Sequence, residues 1–167
     1  MSASLVQELD PEAILLGVEA NDREEVIRLL AGRLERLGYV KPSFAEAVVE
    51  RERKLPTGLP LGRQVNVAVP HTDPVHVLKP GVALATLAAP VDFANMEDAD
   101  EAVPVGVVFM LALNHKDRQI EMLQAVMTAI QAPETVERLV AAGSVAEIRG
   151  LLGTQSGTRS ETMGENQ

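Results

Sequence analysis

A chain of 167 residues, 46% of them hydrophobic, is long enough for one domain with a substantial core. Its 15 basic and 24 acidic residues leave a net charge of −9, which excludes nonspecific binding to nucleic acid or to an anionic membrane surface unless a local basic patch overrides it. With no cysteine, disulfides, thiolate metal sites and cysteine nucleophiles are excluded too, and a reducing cytoplasm is the expected compartment.

The first residues, MSASLVQELDPEA, lack a charged segment followed by an apolar one, so no signal peptide is expected. AILLGVEA at 13–20 reads as a short strand entering a turn. Asn21 and Asp22 then supply N-cap oxygens, and Glu24 and Glu25 place acids in the first turn of a helix. Val26, Ile27, Leu30, Leu34 and Leu37 recur at helical spacing on one face, and Gly38 is placed to end the helix in a left-handed cap. Pro42 and Ser43 open a second helix, with Ser43 and Glu46 in capping-box spacing and Phe44, Ala47 and Val48 as buried positions. That helix runs out near Lys54, because Leu55 precedes Pro56, and Gly58 and Pro60 follow. PTGLPLGRQ at 56–64 is a loop by its proline and glycine content. It leads into VNVAV, a strand whose Val65, Val67 and Val69 share one face.

Two apolar runs of strand length follow, at 82–91 and 103–113, with the pattern of strands covered on both faces. The second is too short to span a bilayer, which takes about 20 residues, so no membrane insertion is expected. FANMEDADEA, between them, reads as an acidic loop with Glu97, Asp98, Asp100 and Glu101 in solvent. Asp117 is placed to cap a helix with Ile120, Leu123, Met127 and Ile130 on one stripe and Met122 and Val126 beside it; Met122 and Met127 are expected in the core. Two short helices, Glu134 to Ala142 and Val145 to Leu152, complete the pattern, the second opened by Ser144 and Glu147 in capping-box spacing. Residues 1–152 are expected to form one domain, and 153–167, with almost nothing to bury, a disordered tail. Strands mixed with helices of this length predict an α/β sandwich, a sheet with helices on both faces, whose strand order the pattern leaves open.

His71 stands just past Pro70 at the exit of the 65–69 strand. Neutral imidazole attacks phosphorus or carries a proton near pH 7, and a loop at a strand exit presents the ring to a partner. An ordinary surface histidine fits the same place. His71, Asp73 and His76 also form a candidate metal set, but three ligands in six residues are cramped, and no HExxH helix accompanies them. Arg51, Arg53 and Lys54 sit where cations suit the negative end of a helix dipole. Because the next loop returns to His71, one of them is also a candidate to neutralise an anion held there, and arginine's planar fork suits phosphate best. Thr57 and Gly58 are a candidate anion-binding turn, alongside the plain reading of PTG as a turn. There is no GxxxxGK[ST], so a nucleotide-driven kinase lacks its phosphate cradle.

Taken together, RERKLPTG at 51–58, VNVAVPHTD at 65–73, and VGVVFMLAL followed by QIEML at 119–123 resemble the fructose/mannitol-type IIA component of the bacterial phosphoenolpyruvate sugar phosphotransferase system, over about residues 10 to 152. The resemblance implies an α/β sandwich with a mixed central sheet. It also implies that His71 is phosphorylated by the phosphocarrier protein HPr and passes the group to a cysteine of a IIB partner, serving a IIC permease indirectly. Arg51 falls on the family's motif arginine and Thr57 on its hydroxyl position. Many members carry a second histidine at the start of the helix after VGVVFMLAL; here that position holds Gln119, and His115 does not inherit the role. The glutamine, the PTG loop and the second histidine of PHTDPVH are similar to the galactitol-type proteins, which implies galactitol or a related polyol as the sugar.

The implied chemistry needs no cofactor. His71 would accept the group on one ring nitrogen while a backbone carbonyl or a side chain fixes the tautomer of the other, and Arg51, Thr57 and Gln119 would hold the phosphoryl oxygens. Leu59, Leu61 and Val75 are expected as an apolar rim for transient docking. The alternatives are a regulatory, nitrogen-type IIA protein read out by binding, a metal-dependent hydrolase built on His71, Asp73 and His76, and a purely structural interaction domain.

Overall fold

The structure, a computed structural model, describes residues 5–153. Its elements run α1 (Leu5–Glu8), β1 (Leu9–Val18), α2 (Arg23–Arg36), α3 (Phe44–Lys54), β2 (Gly58–Leu59), β3 (Asn66–Ala68), a 3-10 turn (Pro74–His76), β4 (Gly81–Asn95), β5 (Asp98–Ala112), α4 (Lys116–Ala129) and α5 (Pro133–Ala141). A last helix, α6, occupies 145–153, and the expected tail lies from 154 onward outside the described residues.

The antiparallel hairpin of β4 and β5 is the spine of the sheet. β1 lies parallel to β4 on one side, and β3 lies parallel to β5 on the other. β2 runs antiparallel to β3 and reaches the far end of β4 through Gly58 opposite Asn95. The sheet is therefore mixed. Successive residues of β5 serve opposite layers: Val108, Met110 and Ala112 face α2 and α3, while Val107, Phe109 and Leu111 face α4, α5 and α6. This double burial is why both runs are continuously apolar rather than alternating. Each layer rests on large side chains, Phe44 and Leu34 in one and Phe109 and Met122 in the other, and burying such a side chain contributes about 1.5–3 kcal/mol.

α2 begins and ends as its residues dictate. The Asp22 carboxylate accepts the Glu25 N–H at 2.9 Å, and Glu25 reaches back to the Asn21 N–H. At the other end Gly38 takes φ +89°, so that its N–H bonds Glu35 O and the Tyr39 N–H bonds Leu34 O, the paired contacts of a Schellman cap. α6 has the expected box, with Ser144 accepting from the Glu147 N–H and Glu147 from the Gly143 N–H.

Three expectations change. Ser43 makes no capping bond to α3; its hydroxyl lies 2.8 Å from His76 Nδ1, and Glu46 pairs with Arg28, so tertiary partners take both members of the box. The acidic segment is the end of the β4–β5 hairpin rather than a loop, because Val91, Phe93, Val103 and Val105 alternate inward and carry the strands out to Asn95 and Asp98. His115, not Asp117, occupies the N-cap of α4, and the helix buries Met122, Val126 and Ala129 while leaving Ile120 and Met127 57% and 42% exposed. Two neighbouring stripes of α4 are both apolar, so periodicity alone could not choose between them.

Gly58 has no room for a side chain, since a Cβ there would lie 2.6 Å from the Ala94 carbonyl oxygen. Gly58→Ala is expected to cost about 1–3 kcal/mol in denaturant unfolding, because backbone of the central hairpin would have to move.

Candidate functional site

His71 hangs from the centre of the sheet. Beyond β3 the chain continues through Val69 and Pro70, whose carbonyl accepts the Leu111 N–H at 3.1 Å, and His71 itself bridges to Leu111. The half-buried ring sets its Nδ1 2.9 Å from Val69 O. A carbonyl only accepts, so Nδ1 carries the proton and Nε2 keeps its lone pair. Burial, and then the Arg51 charge, push the His71 pKa below its ordinary value, against the opposing influence of the Val69 bond and Asp73. The ring is therefore a neutral nucleophile at neutral pH.

This shift has a sign. The unfolded chain takes up the His71 proton near the ordinary value of about 6.5 while the folded chain resists it. Stability is unaffected by His71 above that pH and declines as pH falls from there through the lowered folded pKa. An NMR titration of the ring is expected to show a midpoint below about 6.5.

Arg51 comes from the last turn of α3, with Nη1 3.7 Å from the exposed Asp73 carboxylate and with its buried Nε lacking a hydrogen-bond partner. The guanidinium is close enough for its charge to act on His71, and its planar fork suits an anion held there. Gln119, in the first turn of α4, donates its amide to Thr72 O at 2.7 Å and so ties that helix to the segment just past His71. Thr57 is buried, and its hydroxyl donates to Glu52 at 2.9 Å rather than facing outward. His76 and the backbone of Lys41 hold the 73–77 segment against the start of α3 through Ser43 Oγ and the Lys41 N–H.

The structure thus draws His71, Arg51 and Gln119 to one loop and sets Thr57 behind it. It does not join His71, Asp73 and His76: among the described residues no group of three or more His, Cys, Asp or Glu is placed to hold a metal ion. Of the expected rim, Val75 is 65% exposed, Leu61 is half-buried and Leu59 is core; Ile120, next to Gln119, supplies exposed apolar surface that the expected rim does not include. Glu52 is the residue that sequence reasoning passed over. Its signal was present, since Phe44, Val48, Val49 and Glu52 continue one buried stripe, and a carboxylate at the end of such a stripe needs partners. A cleft of about 280 Å³ between α2 and α3 is lined by Arg23, Val49, Glu52 and Arg53 but not by His71. No described helix is long and apolar enough to cross a membrane.

Known proteins resemble this chain in sequence and in fold. The family model for the phosphoenolpyruvate-dependent sugar phosphotransferase system, EIIA 2, matches residues 7–154. The mannitol-specific EIICBA component of Vibrio cholerae is 30% identical over 152 residues, 89% of this chain but 22% of that protein, so the chain spans about a fifth of that relative's length. The galactitol-specific EIIA component of Escherichia coli K12 is 28% identical over 124 residues, covering 74% of this chain and 81% of that protein. A solved complex of enzyme IIA and phosphorylated enzyme IIB for mannitol from Escherichia coli matches with a TM-score of 0.71 at 30% identity, over 87% of this chain and 96% of the matched one.

Proposed function

Because the chain belongs to the EIIA 2 family of the phosphoenolpyruvate-dependent sugar phosphotransferase system, we propose that it takes a phosphoryl group from phospho-HPr onto Nε2 of His71 and delivers it to a cysteine of a IIB partner. The observation that carries this reading is the Nδ1 contact with Val69 O, which leaves a lone pair on Nε2 of a neutral ring. In the first transfer the Nε2 lone pair forms the new N–P bond as the donor's N–P bond breaks, and that electron pair returns to the HPr imidazole. In the second, the IIB thiolate attacks phosphorus and His71 leaves as neutral imidazole, its Nδ1–H still donating to Val69 O. No net proton moves in the ring, so the Val69 contact serves both steps.

Arg51 balances charge on the phosphoryl oxygens. Gln119, with one amide hydrogen on Thr72 O, keeps its second for the same purpose, without adding a titrating group. Thr57, whose hydroxyl is given to Glu52, contributes through the turn it anchors rather than as a direct donor. Val75 and Ile120 offer apolar contact to partners that dock in turn, and the net charge of −9 steers a basic surface toward them. The mannitol IIA–IIB complex supports a IIB acceptor, and the galactitol relative supports galactitol or a related polyol as the sugar, with a IIC permease served indirectly. Residues 1–152 act as the carrier unit in this reading, and the cytoplasm is its compartment.

The test is incubation with phosphoenolpyruvate, enzyme I and HPr, mapping of the acid-labile phosphate, and a chase onto a galactitol-type IIB. Label on His71 that passes to IIB is expected. Label elsewhere, or none, would overturn the proposal.

A further inference from the structure

Glu52 follows the motif arginine, touches no reacting atom, and yet is 4% exposed. Both of its oxygens are spent on one residue. Oε2 accepts the Thr57 backbone N–H at 2.8 Å and Oε1 accepts the Thr57 hydroxyl at 2.9 Å. The Thr57 carbonyl accepts the Val69 N–H at 3.3 Å, and the Val69 carbonyl accepts Nδ1–H of His71 at 2.9 Å. A continuous path of hydrogen bonds therefore runs from the end of α3, through the PTG turn and the strand exit, to the imidazole.

From this path we infer that Glu52 is a positioning residue for phosphoryl transfer, a two-pronged clamp on Thr57 that holds Val69 where its carbonyl selects the reactive tautomer of His71. The inference rests on the reading of His71 as phosphoryl acceptor. The same clamp ties the last turn of α3 to the PTG turn, and Arg51 is the neighbouring residue of that turn. One side chain thus registers the nucleophile and the cation against each other. The chemistry of the contact explains the residue type: two donors on one partner need two acceptors, which a carboxylate supplies and an aliphatic side chain does not. An apolar residue at 52 would extend the Phe44–Val48–Val49 stripe and leave both Thr57 donors buried without partners.

The experiment compares wild type, Glu52→Ala and Glu52→Gln by ¹⁵N NMR of the imidazole in the unphosphorylated protein, and by single-turnover labelling of His71 from phospho-HPr. Wild type is expected to hold the Nδ1–H tautomer alone. In Glu52→Ala the two ring nitrogens are expected to shift toward each other as tautomers mix, with labelling slower by about tenfold, the equivalent of one lost hydrogen bond. Glu52→Gln keeps both contacts, its carbonyl taking the Thr57 N–H and its amide donating to a reversed hydroxyl; it is expected to retain the wild-type tautomer and to label within about threefold of wild type. A folded Glu52→Ala protein that keeps a single tautomer overturns the inference. If Glu52→Ala does not fold, Thr57→Val replaces it, removing one prong at constant volume: mixed tautomers support the clamp and an unchanged tautomer overturns it. The tautomer is read without any phosphoryl donor, so a wild-type protein that takes no label sinks the phosphocarrier reading, while tautomer mixing in Glu52→Ala still upholds the clamp.

Discussion

Replacing His71 with alanine is expected to abolish phosphoryl uptake from phospho-HPr while leaving the protein folded. Among the described residues no other side chain is brought to the same place beside Arg51 and Gln119. The chain has no cysteine, and the other two imidazoles lie on other segments, His76 tied through Ser43 to the start of α3 and His115 exposed at the N-cap of α4. The structural loss is small, because the substitution removes one neutral hydrogen bond to Val69 O from a half-buried position, about 0.5–1.5 kcal/mol. Labelling and denaturant unfolding measured on the same preparation separate the two effects. Acid-labile phosphate on the folded variant would place the acceptor at another residue.

Replacing Arg51 with glutamine is expected to slow transfer by about 10²–10³-fold, the usual consequence of removing one preorganised donor from a developing anion. Its ion pair with Asp73 is long, 3.7 Å, and Asp73 is 67% exposed, so breaking that contact costs little stability. A second readout follows from the electrostatics. Burial and then Arg51 lower the His71 pKa, so the variant's ring is expected to titrate at higher pH than wild type. Arg51→Lys restores the charge without the planar fork and is expected to recover the titration more fully than the rate. Single-turnover labelling with NMR titration checks both. An unchanged titration midpoint would mean that the guanidinium does not act on the ring.

The parts of the molecule legible in the sequence are those governed by local rules. Asp22 and Gly38 frame α2 because a side-chain oxygen and a left-handed backbone are requirements of the helix ends themselves. Val65, Val67 and Val69 share a face because strand geometry gives them no alternative. Ser43 and Glu46 had the spacing of a box, but partners distant in sequence won them, and no local rule contains His76 or Arg28. The same division runs through the site. The place of His71 at a strand exit could be read from the pattern, but the helix end offered Arg51, Arg53 and Lys54 alike, and only the family resemblance singled out Arg51. The stripe of α3 places Glu52 inward, but that its carboxylate takes the Thr57 hydroxyl is decided by tertiary packing, which no local rule contains. Strand order was closed to pattern reasoning for a like reason, since Gly58 meets Asn95 through a single contact between distant segments.

Leu111, whose N–H bonds the Pro70 carbonyl, lies fully buried in β5, which β3 and β4 pair on its two sides, so the imidazole proposed as acceptor is anchored to the interior of the sheet. A ring mounted in this way need not wait for a flap to shut before each transfer. In the proposed relay, throughput is then governed by how often two macromolecules collide in a productive orientation, a quantity that rises with partner concentration and falls with added salt.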